Sequence, residues 1–317
     1  MTLSSFLKLV EIQTKLASVI PFVLGTLFAL YRYNSFKFEN FIIMFISLLT
    51  FDMATTAINN YFDYKKEKEL IRENCKSENI IINARIPEKT ASFVIFALLT
   101  IAVIFGVLLT LKTDIILLII GVICFIVGIL YTFGPIPISR MPLGEVFSGF
   151  FMGFIILFLS IYIHIYDSAL VTLMYTNNIL SLSLNVVEIL FIFLVSIPLV
   201  TSIANIMLAN NICDVEEDIK IKRFTLPYYI GRENALKLFK ILYYVGYADI
   251  VILVLLKIAP VASLLVLTTL IPVNKNIKLF INNPSKKETF VVSVKNFFII
   301  NFSHIIVMTI TLLFKLY

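Results

Sequence analysis

Nine long apolar runs, separated by short polar breaks, make up most of this chain. They occupy residues 10–31, 40–62, 90–111, 114–134, 143–166, 185–211, 234–256, 258–274 and 290–314. Each is near the roughly 20 residues a helix needs to cross a bilayer. Lys257 and Pro260 mark the break between the seventh run and the eighth. The pattern predicts an all-α fold: a polytopic membrane helix bundle of about nine transmembrane helices. A single domain over residues 1–317 is expected, without linkers or low-complexity tracts. No cleavable signal peptide is expected, because the N-terminus runs directly into the first span.

The polar breaks carry an orientation. Lys65, Lys66, Lys68, Arg72, Lys76, Arg85 and Lys89 follow span two; Lys220, Lys222, Arg223 and Arg232 follow span six; Lys275, Lys278, Lys286 and Lys287 follow span eight. The alternate loops hold only Arg32, Lys37, Lys112 and Lys257, and loop 167–184 holds no basic residue. The positive-inside rule then places the N-terminus inside and the C-terminus outside. Composition agrees: 60% of the residues are hydrophobic, against about 45–50% in a soluble domain. The net charge is +6 and most of the basic residues sit in those few short loops, so a nucleic-acid partner is not expected and the lipid bilayer is. The expected location is the cell (inner or plasma) membrane. Cys75, Cys124 and Cys213 show no metal-ligand spacing, and the only histidines, His164 and His304, lie far apart in apolar segments. A disulfide framework and a zinc site are therefore not expected.

One acidic phrase occurs twice. Asn59-Asn60-Tyr61-Phe62-Asp63-Tyr64-Lys65-Lys66-Glu67 and Asn210-Asn211-Ile212-Cys213-Asp214-Val215-Glu216-Glu217-Asp218 both read N-N-x-x-D-x-x-x-[DE], each after a long apolar run. Residues four apart lie on one helix face, so Asn59, Asp63 and Glu67 form one oxygen-bearing face and Asn210, Asp214 and Asp218 another. Mg²⁺ takes oxygen ligands, usually one or two carboxylates together with substrate phosphates. Two such faces therefore suit a metal-bound diphosphate and point to an internal duplication around the motifs. Ionisable groups at the end of a span are costly and usually functional, which singles out Asp63 and Asp214. Glu69, Glu216 and Glu217 read as solvated charges. The positive-inside reading puts both motifs on the cytoplasmic side. Arg85, after the first motif, and Lys222 and Arg223, after the second, are candidates for binding diphosphate oxygens. Lys65, Lys66 and Lys68 read as topology signals. Asp52 falls on nearly the same face as the first motif. Lys15 lies in the first span and Asp249 in the seventh, the latter with Tyr243, Tyr244 and Tyr247 nearby as a candidate interhelical hydrogen bonder.

These motifs resemble those of the UbiA superfamily of intramembrane aromatic prenyltransferases, which carries N-D-x-x-D-x-x-x-D after helix two and a D-x-x-x-D motif after helix six. Here Asn60 stands where Asp is common and Glu67 replaces the last Asp; both keep an oxygen ligand. Tyr131-Thr132-Phe133-Gly134-Pro135-Ile136-Pro137-Ile138 followed by Leu143-Gly144-Glu145 resembles the Y-T-x-G-P-x-P-[LI]…L-G-E stretch of 1,4-dihydroxy-2-naphthoate polyprenyltransferases. Asn210 to Leu226 resembles their second motif, with Lys222-Arg223-Phe224 where Gly-Lys-Arg is usual. Ser18 to Gly25 resembles their S-x-x-P-x-x-L-G. The resemblance runs from helix one to about residue 232.

It implies an Mg²⁺-dependent enzyme of menaquinone biosynthesis. A polyprenyl group would pass from an allylic polyprenyl diphosphate to an aromatic acceptor, 1,4-dihydroxy-2-naphthoate, giving demethylmenaquinone, CO₂ and diphosphate. Metal would be held by Asn59, Asp63, Glu67, Asp214 and Asp218. Asn59, Arg85, Lys222, Arg223 and Asn210 would hold the diphosphate, and Glu145 would orient or deprotonate the acceptor. Tyr61, Tyr131 and Tyr228 are aromatic candidates for stabilising the allylic cation. The alternatives are a sister enzyme acting on 4-hydroxybenzoate, haem, chlorophyllide or a glyceryl phosphate lipid, and a secondary transporter that uses intramembrane carboxylates.

Overall fold

A computed structural model describes residues 1–70, 80–84, 86–132 and 138–314, with side chains 66–70 and 132 outside the description. The elements run α1 (Leu3–Leu9), a 3₁₀ turn (Ile12–Lys15), α2 (Leu16–Tyr33), α3 (Phe38–Leu70), α4 (Ile80–Asn83), α5 (Glu88–Lys112) and α6 (Ile115–Thr132). Next come α7 (Gly144–Ser148), a π-helical stretch (Gly149–Ile155), α8 (Ile156–Ile165), strands β1 (Val171–Thr176) and β2 (Ile179–Leu184), and α9 (Val186–Lys220). The chain ends with α10 (Leu226–Ile230), α11 (Arg232–Leu255), a 3₁₀ segment (Val261–Thr269), α12 (Leu270–Asn282) and α13 (Val291–Phe314). Among the described residues eight helical segments are long and apolar enough to cross a membrane, and Ile115–Tyr131 is a shorter apolar helix. The fold is the expected all-α membrane bundle.

Three local features depart from or sharpen the apolar pattern. The expected break between spans seven and eight is present: Lys257 takes a left-handed φ of 57° and Pro260 caps the next segment. The loop at 167–184 contains an antiparallel hairpin turning at Asn177 and Asn178, whose φ values of 51° and 64° are those a two-residue type I′ turn demands. Finally, α3 and α9 do not stop at 62 and 211 but continue to Leu70 and Lys220. Helices of 33 and 35 residues are each about 50 Å long at 1.5 Å per residue, well beyond a hydrocarbon core of about 30 Å. Both acidic motifs therefore lie on unbroken helix, as the i, i+4 reading requires.

The chain divides into two compact units, Met1–Val19 with Phe38–Ile129, and Ile20–Lys37 with Leu130–Tyr317. In the first, α3 and α5 meet through Ala54, Ala57, Ala91 and Ala102, all fully buried, and Ser47 Oγ donates to the Ala102 carbonyl at 2.9 Å. Lipid offers helices little hydrophobic reason to associate, so small residues that allow close approach, and hydrogen bonds between helices, do that work.

In the second unit α9 is the central helix. The π-helical stretch packs on it through Gly149 and Gly153: a Cβ at either would sit 2.7 Å from the Val200 backbone. This small-xxx-small contact carries α7, and with it Glu145, against α9. Gly25 makes a similar approach to α8, where a Cβ would lie 2.7 Å from the Leu157 carbonyl oxygen. Buried amides tie the other neighbours. Asn205 Nδ2 donates to the Phe239 carbonyl at 3.0 Å, and Asn301 Nδ2 to Ser202 Oγ at 2.9 Å.

Also in this unit, Arg32 grips Glu188 through two hydrogen bonds of 2.9 and 2.7 Å. Lys37 pairs with Asp167 at 2.6 Å, and that ammonium holds the Asp167 carboxyl below its usual range. His164, an apolar-segment residue in sequence, is fully buried and accepts from the Lys37 backbone N–H at 3.0 Å through Nδ1. Its role is to fasten the turn between α2 and α3.

Candidate active site

The first motif lies on α3. Asp63 is exposed and Asn59 half-buried. Glu67 lies on the same helix, but its side chain is outside the described residues, as is Arg85 altogether. Asn60 faces the N-terminal segment: its Nδ2 donates to the Leu9 carbonyl at 2.9 Å and to Glu11 Oε1 at 3.2 Å. An aspartate could not donate either bond, which gives this departure from the common N-D pattern a physical reason. Tyr61 donates from its hydroxyl to Glu88 Oε1 at 2.9 Å, and Lys65 lies over its ring at 4.9 Å. Tyr61 and Glu88 also line an open groove with Pro87, Lys89, Phe93 and Phe96.

Asp52 and Lys15 are partners of one another. Lys15 Nζ donates to Asp52 Oδ1 at 2.7 Å and to Thr56 Oγ1 at 2.6 Å, and Ser18 Oγ donates to Asp52 Oδ2 at 2.5 Å. Lys15 is 3% exposed. Both charges are thus satisfied inside the unit, and Ser18, the first residue of the S-x-x-P-x-x-L-G stretch, completes the cage.

The second motif, on α9, divides its two asparagines between two tasks. Asn210 turns toward Asp214, donating to its Oδ2 at 3.2 Å. The Lys286 ammonium, from the α12–α13 connection, contacts Asn210 Oδ1 and lies 2.5 Å from Asp214 Oδ2. Asn211 is fully buried and donates from Nδ2 to Glu145 Oε1 at 2.8 Å. Arg223 Nη2 lies 3.4 Å from Asn211 Oδ1 and Nη1 lies 3.5 Å from Asp218 Oδ1, while Nε donates to the Ser139 carbonyl at 3.2 Å. Arginine can only donate, so it fixes Asn211 with its oxygen toward Arg223 and its NH₂ toward Glu145.

The line Asp218–Arg223–Asn211–Glu145 joins the end of the second motif to the start of α7. Glu145 is 4% exposed and its Oε2 has no hydrogen-bond partner among the described residues. Asp218 Oδ2 is likewise buried and unpartnered. An unpaired buried oxygen is costly, so both are poised to accept a proton or a cation. Lys222 is exposed with a left-handed φ of 57°. The Tyr131 hydroxyl lies 3.5 Å from the Gly144 carbonyl oxygen, and Tyr228 is exposed against Phe224.

The oxygen set suits a hard cation. Asn210 Oδ1 and Asp214 Oδ2 already hold one, the Lys286 ammonium. Among the described residues no three His, Cys, Asp or Glu side chains cluster as a metal cage, and Mg²⁺ characteristically completes its sphere with water and substrate phosphate. Arg223, expected from sequence to bind diphosphate, is placed beside Asp218, Asn211 and the Ser139 carbonyl. Two contributors were missed in sequence. Asn211 had a signal, the duplicated Asn-Asn pair; Lys286 had only its place in a basic loop.

The family model for the UbiA prenyltransferase family matches residues 18–302. The chain is 31% identical over 243 residues, 77% of its length and 71% of the relative's, to a 1,4-dihydroxy-2-naphthoate octaprenyltransferase of Bacillus subtilis (strain 168). Among solved structures, the apo UbiA homologue from Aeropyrum pernix K1 superposes with a TM-score of 0.65 at 15% identity, covering 96% of this chain and 98% of that one. A UbiA homologue from Archaeoglobus fulgidus bound to GPP and Mg²⁺ gives 0.61 at 15% identity, covering 97% and 99%. A digeranylgeranylglyceryl phosphate synthase gives 0.63 at 18% identity, covering 98% of each chain. At these identities the structural likeness speaks for the fold.

Proposed function

The chain belongs to the UbiA prenyltransferase family, and on that premise we propose that it transfers a polyprenyl group from an allylic polyprenyl diphosphate to 1,4-dihydroxy-2-naphthoate. The observation that carries this reading is on α9. Adjacent residues of one motif hold a cation, through Asn210 and Asp214, and a buried carboxylate, Glu145, through Asn211. A prenyl transfer needs both: charge builds on the departing diphosphate, and the acceptor hydroxyl must lose a proton. The naphthoate acceptor is supported by the Leu143-Gly144-Glu145 stretch and by the name of the Bacillus subtilis relative.

In this reading Asn59, Asp63 and Glu67 on α3, and Asn210, Asp214 and Asp218 on α9, are the ligands for Mg²⁺, which neutralises the diphosphate when bound. Arg85, Lys222 and Arg223 add positive charge, the last through its hold on Asn211 and Asp218. Glu145 takes the acceptor hydroxyl proton at Oε2. The ring carbon bearing the carboxylate forms the new bond to prenyl C1 as the C1–O bond breaks and its electron pair leaves on diphosphate. The carboxylate departs as CO₂, returning its bonding pair to the ring. The ring oxygen then takes its proton back from Glu145, and the product is a prenylated naphthoquinol, the reduced form of demethylmenaquinone. Both motifs open to the cytoplasmic side of the cell membrane, with the N-terminus inside, in keeping with the basic loops that follow spans two, six and eight.

The test is turnover in detergent with labelled polyprenyl diphosphate, Mg²⁺ and a panel of acceptors. Prenylated naphthoquinol that disappears in Asp63→Asn and in Asp214→Asn is the expected result. Turnover only with 4-hydroxybenzoate or a glyceryl phosphate lipid would overturn the acceptor while leaving the family chemistry in place.

A further inference from the structure

We propose that Lys286 is a resident cation of the second motif: it occupies the oxygens of Asn210 and Asp214 in the metal-free protein, yields them to the divalent ion, and then binds the substrate diphosphate. This rests on the reading above and adds to it a residue from the last inter-helix connection.

Three observations support it. First, the ammonium meets two of the oxygens that the motif offers a metal, contacting Asn210 Oδ1 and lying 2.5 Å from Asp214 Oδ2. A monovalent side-chain cation held there and a divalent ion bound there are mutually exclusive, because each needs the same lone pairs and their charges repel.

Second, the connection is built to present this side chain. Thr289 Oγ1 accepts from the Ser285 N–H at 2.9 Å and donates to the Asn283 carbonyl at 2.5 Å, while Asn283 Nδ2 donates to Glu288 Oε2 at 2.8 Å. The Thr289 and Phe290 N–H groups both donate to the Ser285 carbonyl, at 3.0 and 2.9 Å. Arg232 Nη2 reaches the Pro284 carbonyl at 3.4 Å, fixing the turn to the start of α11. The Lys286 ammonium also lies over the Phe290 ring, with Nζ 5.3 Å from its centroid.

Third, the pair is reachable. The Lys286 side chain is 46% exposed and that of Asp214 19%, so the ammonium can leave by side-chain rotation alone. Once displaced, it remains tethered beside the metal, where the nearest strong anion is the diphosphate that the metal recruits. Lysine serves phosphate as a flexible point charge, which suits a group that must change partners.

The experiment separates metal binding from turnover. Mn²⁺ binding to the substrate-free protein is measured by electron paramagnetic resonance, and binding of a non-hydrolysable prenyl thiodiphosphate is measured at saturating Mg²⁺. Wild type is compared with Lys286→Met, Lys286→Arg, the equal-charge control Lys287→Met, and Asp214→Asn. With the resident cation removed, Lys286→Met is expected to bind Mn²⁺ several-fold more tightly and the thiodiphosphate roughly tenfold more weakly, the scale of one charge-assisted hydrogen bond near solvent. Lys286→Arg keeps a cation and is expected to resemble wild type in Mn²⁺ affinity, and Lys287→Met to match wild type in both. Unchanged Mn²⁺ and thiodiphosphate affinities in Lys286→Met, with wild type binding both, would overturn this inference alone. Wild type that binds neither would overturn the functional reading together with it.

Discussion

The same nine-residue acidic phrase sits on two helices and lives in two different environments. On α3 its Asp63 is exposed, and the second asparagine, Asn60, spends its amide on the Leu9 carbonyl and on Glu11 at the N-terminal turn. On α9 Asp214 is held by Lys286, and the second asparagine, Asn211, spends its amide on the buried Glu145. In both copies the first position of the doublet shares a helix face with the aspartate four residues on, and the second turns to a glutamate from an earlier segment. The helix fixes the first relation and the surroundings fix the second. The difference teaches that the repeated phrase fixes what lies along its own helix, the first asparagine beside the aspartate, while the second asparagine is free to be put to local use: anchoring the N-terminal turn on α3, holding the buried Glu145 on α9.

The largest effect expected is on the shared side. Asp63→Asn and Asp214→Asn should each lower kcat by roughly 10³-fold, the loss of a charge that stabilises a leaving group. Near-normal turnover in either one, measured in detergent at saturating substrate, would end the equivalence of the two copies.

The charged pairs beside the motifs should differ next. Lys15→Met strands Asp52 in a cage where Lys15 is only 3% exposed, and breaking a buried pair costs about 3 kcal/mol. Lys286→Met should cost under about 1 kcal/mol, as for other half-exposed pairs. Denaturant unfolding of the two variants measures the gap, and adding Asp52→Leu to Lys15→Met should recover most of the loss. Equal destabilisation by the two single variants would mean that Asp52 and Asp214 are held alike.

Asn211→Leu and Asn60→Leu test the unshared side. Asn211→Leu leaves Glu145 Oε1 without its donor, worth about 2 kcal/mol, and should lower kcat while the KM for the prenyl diphosphate stays nearly constant. Asn60→Leu should loosen the N-terminal segment, read by hydrogen exchange at Leu9–Glu11, with the smaller effect on kcat. The reverse ranking would move the acid–base role to α3.

The smallest effect on turnover is expected at the helix contact that carries Glu145. A Cβ at Gly153 would lie 2.7 Å from the Val200 backbone, so Gly153→Ala should cost about 1–2 kcal/mol by overpacking and shift α7 on α9. A fall in kcat larger than the loss of stability explains would show that the contact tunes Glu145. The equivalent change at Gly121, which has nothing within 4 Å of its Cβ position, should be silent in both readouts.

The helical membrane class, the break at Lys257–Pro260 and the pairing of Asp214 with Asn210 were determined by the sequence itself. Hydrophobic run length and the 3.6-residue repeat are local properties, and a bilayer leaves the backbone few alternatives to helix. The 167–184 hairpin was also written locally, in Asn177-Asn178, but apolar run length carries no signal for it. The partners of the polar groups were decided only by the tertiary structure. Lys15 is 37 residues from Asp52, Asn211 is 66 from Glu145 and Lys286 is 72 from Asp214. Periodicity along one helix fixes which face a side chain occupies and says nothing of what another helix brings to that face. Arg223 shows this most plainly. Its charge was visible beside the motif, but only the folded chain set it against Asn211, Asp218 and the Ser139 carbonyl, because side-chain donors pair with whatever acceptor packing brings within reach.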